Sequence, residues 1–167
     1  MRGAEIGAGF RDESRRLLDG YFERICAATR ELDAGQLWWR PHEGVNSIAN
    51  LLLHLEGNLS QWVLEGLGGE PFERHRDAEF AAREGVSGEV LRQRLGAVVA
   101  RCQRAVAALD DERLGASLRI QGYEVTGLGA LYHAVEHASY HTGQIVALAK
   151  QLLEPGSIEL YPRHRGE

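Results

Sequence analysis

Hydrophobic positions recur at steps of three and four residues in four long segments of the chain, with charged and polar residues between them. This spacing places the apolar side chains on one face of an α-helix. Ser47, or Asn46 before it, and Thr126 stand where two of these segments begin, and their side-chain oxygens can cap a first helical turn. The pattern predicts an all-α fold with helices at about 5–32, 47–65, 87–109 and 126–153.

The connections between these segments indicate how the helices are arranged. About twenty residues, 66–86, separate the second and third helices. A link of this length can cross a helical bundle and leave its two neighbours parallel. The next link, 110–125, has apolar residues on both sides of Gly122, which favours a small extended excursion. We therefore expect one domain over 1–167, a four-helix bundle with a long crossover and an extended tail after Pro155.

Composition narrows the class of protein. The net charge is -5 and the arginines form no basic stripe, so no nucleic-acid partner is expected. No apolar run approaches the length of a membrane span, and the N-terminus lacks the apolar stretch of a signal peptide. We expect a cytoplasmic protein with no membrane association. Cys26 and Cys102 are far apart and lie among apolar residues, so we expect two buried, reduced thiols.

The fourth predicted helix contains the segment LYHAVEHASYHTGQI, which places His133, His137 and His141 four residues apart. Residues with this spacing lie on nearly the same face of a helix, but the row drifts by about 40° per step. One straight helix can therefore direct two of these rings at one ion, but hardly all three. By spacing alone, the first pair is as suitable as the second.

A third ligand could come from the second predicted helix. His54 lies there between Asn50 and Asn58, four residues away on each side, in an otherwise apolar segment. Polar groups in a helical core are costly unless they find partners, and the histidine row can supply them. Three neutral imidazoles with one open position are typical of catalytic zinc sites. Imidazole also suits nickel, copper and iron, so the donor set does not identify the metal.

The alternative to a metal site is ordinary packing, because a single histidine on an apolar face is usually a core residue. The spaced pair together with His54 favours the metal site. Neither a phosphate-binding glycine loop nor an HExxH or GxSxG motif is present. Three other histidines are expected to be solvated: His42, His75 and His164. The three tryptophans, Trp38, Trp39 and Trp62, are expected to line the core or a groove.

Two segments, NSIANLLLHLEGNLSQW and HAVEHASYHTGQI, together resemble the DinB-like superfamily of small bacterial metal-binding proteins. The preceding LWWRPHEGVNS resembles the lead-in to that family's second helix, and the resemblance extends from about residue 5 to 153. It implies an up-down-down-up four-helix bundle. Carried over by motif, it implies that the metal ligands are His54, His137 and His141. Residues that could orient these rings from outside the ligand set are Asn50, Asn58, His133, Tyr140 and Gln144.

The resemblance also implies a range of functions. Some members are thiol-dependent transferases or isomerases that use mycothiol, bacillithiol or glutathione, with the metal activating the thiol, and many have no assigned reaction. We expect a zinc- or nickel-dependent enzyme that is either a thiol S-transferase or a hydrolase. A thiol S-transferase would use a low-molecular-weight thiol as an additional cofactor. The rivals are a non-catalytic metal- or ligand-binding protein, which the lack of an evident acidic base favours, and an interaction module. Helical faces rich in Ala and Leu, with family habit, suggest a homodimer.

Overall fold

The computed structural model describes residues 2–160 of the chain. His164 and the end of the tail lie outside this range. In chain order the elements are α1 (Arg2–Thr29), α2 (Ala34–Trp38), α3 (Ile48–Leu59), α4 (Arg76–Ala81), α5 (Gly88–Ala108), α6 (Asp111–Gly115), β1 (Ser117–Ile120), β2 (Tyr123–Thr126) and α7 (Gly127–Leu152). A π-helix over Ser60–Leu67 continues directly from α3.

Side-chain caps fix where the long helices begin. Ser47, rather than Asn46, caps α3: its Oγ accepts from the backbone N–H of Asn50, whose side chain accepts from the backbone N–H of Ser47. Ser87 and Thr126 cap α5 and α7 in the same way, each accepting a backbone amide three residues further on. These bonds satisfy amides that have no partner inside the helix.

The four long helices enclose one apolar core. Helix α1 packs against α5 and α7, and α3 with its π-helical continuation packs against the same two helices. The core side chains are mostly Leu, Val, Ile and Ala, with Leu52, Leu95, Leu131 and Ile145 almost fully buried. The structure is thus mostly helical, as expected, whereas the four-helix bundle and its up-down-down-up order stay predictions. Within the described residues, no helix is both long and apolar enough to cross a bilayer.

The links differ most from the expectation. The crossover between the π-helix and α5 contains the short helix α4, which the hydrophobic pattern did not reveal. The expected extended excursion is a hairpin in which β1 and β2 pair antiparallel, with Leu118 opposite Val125. Its turn has positive φ at Gln121 (53°) and Gly122 (84°). Positive φ is normal for glycine but uncommon for glutamine, and Gln121 adopts it at the tip of the hairpin.

The two cysteines differ in burial. Both cysteines are free; Cys102 is buried, but Cys26 is partly exposed, so the expectation of two buried thiols is wrong for Cys26. Burial raises the pKa of the Cys102 thiol to about 12, which leaves it protonated and unreactive. After α7 the described tail is not helical, and Ile158 packs against the edge of the core.

Candidate metal centre

Helices α3 and α7 bring three histidines together. Nε2 of His137 lies 3.1 Å from Nε2 of His54 and 3.2 Å from Nε2 of His141. One ligand atom of each ring lies within 4.8 Å of the others, a grouping suited to a metal ion. A tetrahedral zinc site with Zn–N bonds of about 2.0–2.1 Å separates neighbouring nitrogens by about 3.3 Å. The observed contacts are close to that spacing.

The protons on these rings can be assigned from their outer contacts. Nδ1 of His54 lies 2.8 Å from Oε2 of Glu79, and Nδ1 of His141 lies 2.7 Å from Oε1 of Gln144. Both oxygens can only accept, so each Nδ1 carries its proton and each Nε2 presents a lone pair. Nε2 of His137 carries at most one proton, which can bond only one of the two lone pairs on His54 and His141. A cation satisfies all three nitrogens, and the donor set therefore fits a metal ion.

Glu79 comes from α4 in the crossover and holds His54 from the side away from the cluster. Arg74 donates two hydrogen bonds to the same carboxylate, one from Nε at 2.7 Å and one from Nη2 at 2.9 Å. Nη2 of Arg74 also lies 3.1 Å from Nδ1 of His54, but we assign the ring proton to the shorter contact with Glu79. Burial alone would raise the pKa of Glu79, but bonds from His54 and Arg74 outweigh it and lower the pKa. The carboxylate therefore stays ionised and fixes the ring of His54.

Asn50 anchors the crossover instead of touching a histidine. Its Nδ2 donates to the carbonyls of Glu79 (2.8 Å) and Ala82 (3.0 Å), and its Oδ1 accepts from Arg40 (2.6 Å). The backbone of Glu79 is thereby tied to the first turn of α3, one helical turn before His54. Its action on the metal centre is thus indirect.

Gly57 makes room for this arrangement on the face of α3. A Cβ at position 57 would lie 2.1 Å from Oε1 of Glu79 and 3.0 Å from Nε of Arg74. Glycine in a helix interior is less favourable than alanine by about 1 kcal/mol. The close approach of the Glu79–Arg74 pair explains why a glycine stands there.

The other residues expected around the ligands have different roles. Gln144 bonds His141, and its Nε2 donates to the hydroxyl of Tyr140 at 3.2 Å, so both support the ring. His133 packs against Trp62 with ring centroids 4.1 Å apart and the ring planes tilted by 47°. Asn58 lines the cavity beside the cluster, and its Oδ1 is buried without a hydrogen-bond partner. His133 and Asn58 thus face the place where a ligand would lie.

A cavity of about 410 Å³ opens onto the cluster. The π-helix contributes Trp62 and α7 contributes His133, while the hairpin forms a further wall. Short π-helical segments are often found at functional sites. Gln61 ties the rim together, because its Oε1 accepts from Gln121 in the hairpin turn and from Arg74 in the crossover. The residues lining the cavity are His54, Asn58, Trp62, Arg74, Arg76, Gln121, Tyr123, Glu124, Val125, His133 and His137.

Burial favours the neutral form of the three histidines on α7. It lowers the pKa of His137 to about 3, helped by the neighbouring rings of His141, His54 and His133 and by Arg74. Burial also lowers the pKa values of His141 and His133, although Gln144 and Glu136 respectively oppose it. Nδ1 of His137 is buried with no hydrogen-bond partner. Neutral imidazoles are the form that binds metals.

The histidines outside the cluster lie apart from it. His42 is exposed, and its Nδ1 accepts from the backbone N–H of Gly44. His75 is exposed in the crossover, 3.8 Å from a carboxylate oxygen of Glu73. Trp38 is half-buried and donates to the carbonyl of Val86. Trp39 is 40% exposed and does not line the cavity.

We expect Glu79→Gln to weaken metal binding by about 10- to 100-fold, the usual effect of changing a partner of a ligating histidine. The neutral amide would hold the Nδ1 proton of His54 less firmly and would leave Arg74 without its counter-charge. Metal affinity should be measured by competition with a coloured chelator, after circular dichroism has shown that the helices are intact. Glu73→Gln, an exposed change in the same crossover, is the control. Equal affinities in both variants would show that Glu79 does not support the site.

The metal-free protein should lose stability as the pH falls from about 6.5, the ordinary histidine pKa, towards the value of about 3 at His137. In that window the unfolded chain binds a proton that folded His137 excludes, so protonation favours unfolding; above 6.5 this group makes no difference. His137→Gln should reduce the pH dependence by up to about one proton per molecule. Thermal unfolding between pH 7 and pH 4.5 tests this, and equal pH dependence in both proteins would contradict it.

Similar proteins place the fold in a known group. The structure resembles that of a conserved protein from Enterococcus faecalis, with 20% identity, a TM-score of 0.69, and coverage of 83% of this chain and 94% of that chain. It also resembles a DinB-like protein from Bacillus cereus, with 16% identity, a TM-score of 0.68, and coverage of 87% and 91%. Such identities show the fold alone. No functionally curated protein matches the chain. The profile of a family described as a protein of unknown function, DUF1572, matches residues 5–160, and the chain therefore belongs to this family of the DinB-like superfamily.

Proposed function

We propose that this protein is a metal-dependent enzyme in which His54, His137 and His141 hold a divalent cation, zinc or nickel, at the floor of the cavity. The observation that carries the proposal is the convergence of three Nε2 atoms, two of which are committed to presenting lone pairs. Three imidazoles leave one coordination position for a substrate or water, as in catalytic zinc sites. We propose transfer of a low-molecular-weight thiol to an electrophile as the reaction.

The acid–base groups favour a thiol over water as the nucleophile. When bound, a divalent cation lowers the pKa of a thiol or water at its open position. Hydrolysis would in addition draw on a nearby general base. Glu79 is the carboxylate nearest to the ligands, but it is bonded to His54 and Arg74 and does not line the cavity. A coordinated thiol is deprotonated outright and needs no such base.

The chain's own residues would position the reactants. Glu79 and Gln144 keep the rings of His54 and His141 in one orientation, as their bonds to Nδ1 indicate. Trp62 and His133 form an aromatic part of the cavity wall beside the ligands. In the transfer, the thiol proton leaves to solvent, the sulfur forms a bond to the electrophilic carbon, and the leaving group departs with its bonding electrons.

The second candidate is a protein that binds a metal or small ligand without catalysis. The same commitment of Glu79 favours it, because Glu124, the one carboxylate among the described residues that line the cavity, makes no hydrogen bond to the histidines. This candidate shares the metal centre with the first and differs from it in turnover only.

The ligand assignment can be tested by single alanine substitutions. His54→Ala, His137→Ala and His141→Ala each leave two imidazoles, and each variant should lose most of its metal. His133→Ala should keep near-stoichiometric metal, weakened by at most about 10- to 100-fold. Elemental analysis of untagged protein, after confirming the helical circular dichroism signal, measures the outcome and names the metal. An empty His133→Ala variant with a full His141→Ala variant would move the ligand pair by one helical turn.

Thiol transfer should appear as thiol consumption by metal-loaded protein in the presence of a chlorodinitrobenzene. Mycothiol, bacillithiol and glutathione should be tried in turn, with formation of the aryl thioether followed by absorbance. Metal-free protein is the control for the role of the metal. Metal-loaded His133→Ala protein is the control for the role of the cavity wall. A rate no higher than that of metal-free protein for every thiol would favour the non-catalytic binding protein.

We also propose that the chain forms one domain, acts in the cytoplasm and assembles as a homodimer. The exposed apolar side chains of Ile6 and Leu128 line a shallow groove of about 560 Å³ between the start of α1 and the start of α7. A twofold dimer would cover such a surface. Multi-angle light scattering should give twice the chain mass of 18.5 kDa, and a mass equal to one chain would contradict the dimer.

A further inference from the structure

The wall of the cavity contains three charged side chains besides its histidines: Arg74, Arg76 and Glu124. Arg74 is committed, since it donates to both oxygens of Glu79 and to Gln61. Arg76 and Glu124 make no contribution to the metal centre described above. The cavity volume of about 410 Å³ is typical of a small-molecule site, for which about 300–1,000 Å³ is usual.

Arg76 presents an uncompensated positive charge at the crossover side. Its guanidinium lies 5.0 Å from the centre of the Phe80 ring. Such a contact with an aromatic ring holds the guanidinium in place without using its N–H donors. Over residues 2–160, the guanidinium of Arg76 has neither a carboxylate nor a carbonyl as hydrogen-bond partner. Its donors are therefore available to an anion in the cavity, and a guanidinium suits a carboxylate in particular.

Glu124 presents an uncompensated negative charge at the hairpin side. It is exposed on β2, directly across the hairpin from Arg119. The described part of the chain nevertheless shows no ion pair between their side chains and no hydrogen-bond partner for the Glu124 carboxylate. The hairpin is held against the rim by the bond from Gln121 to Gln61, which also binds Arg74. Two opposite charges thus stand on two separately anchored walls of one cavity.

We propose that this cavity binds a small zwitterion, whose carboxylate pairs with Arg76 and whose ammonium group pairs with Glu124, while its third functional group faces the histidines. An arginine alone would select an anion and a glutamate alone a cation, whereas both together select a molecule with an amino-acid-like end. The inference rests on the proposed metal centre, which supplies the contact for the third group. Arg76 and Glu124 are binding residues that determine specificity in this arrangement.

Four small thiols that differ in charge test the proposal: L-cysteine, 3-mercaptopropionate, cysteamine and 2-mercaptoethanol. Each is titrated, without oxygen, into cobalt-loaded protein, and the thiolate-to-cobalt absorption band reports binding and its dissociation constant. Arg76→Gln should weaken L-cysteine and 3-mercaptopropionate by about 10-fold and leave the other two unchanged. Glu124→Gln should weaken L-cysteine and cysteamine by about the same factor. Comparing each thiol between proteins cancels differences in thiol acidity.

Matched charge changes away from the cavity are the controls. Arg104→Gln on α5 and Glu84→Gln before α5 remove the same charges from exposed side chains that do not line the cavity. Equal effects of Arg104→Gln and Arg76→Gln, or no dependence on thiol charge, would overturn the proposal but leave the metal centre intact. Absence of the thiolate band in cobalt-loaded wild-type protein would also overturn it. Failure of wild-type protein to bind cobalt would remove the proposed function itself.

Discussion

Three imidazoles share one small volume between α3 and α7, where burial keeps His137 and His141 neutral and hydrogen bonds fix the orientation of His54 and His141. Removing a ring from water disfavours its protonated form, and each neighbouring ring adds to that effect. Three Nε2 atoms face one another. Those of His54 and His141 present lone pairs, because Glu79 and Gln144 hold the protons of these rings on Nδ1. Within the protein the cluster has more acceptors than protons. That imbalance is unfavourable for a packed core but favourable for binding a cation.

The net charge of the ligands and their partners also affects how a bound cation would act. Glu79 is paired with Arg74, so the three histidines and this ion pair together carry no net charge when the histidines are neutral. A divalent cation held by these ligands would keep its full double charge, unlike one held by a ligating carboxylate. A higher effective charge polarises a bound thiol or water more strongly. Burying the ion pair is costly, and its two-bond geometry together with the bond to His54 offsets part of that cost.

Hydrophobic period and cap chemistry were sufficient to predict the four long helices, because apolar residues recur at helical spacing in each of them. The histidine spacing indicated a cluster, and the resemblance selected its members. The role of Glu79 could not be predicted, since its charged, aperiodic segment is typical of a solvated link and only folding brings it to His54, 25 residues away. Asn50 was correctly singled out as a polar residue in a buried helix, but its side chain faces the crossover. Gly57 inside α3 was the one sequence signal that something approaches this helix closely.

Gly57 also restricts how this protein could be made more robust. Replacing glycine by alanine in a helix is a routine way to raise thermal stability, since it reduces the freedom of the unfolded chain. In α3 the added methyl group would occupy the space of the Glu79 carboxylate. A library selected for heat resistance alone could therefore accept alanine at this position and shift the crossover away from His54. Natural sequences often retain such locally unfavourable residues where activity depends on them.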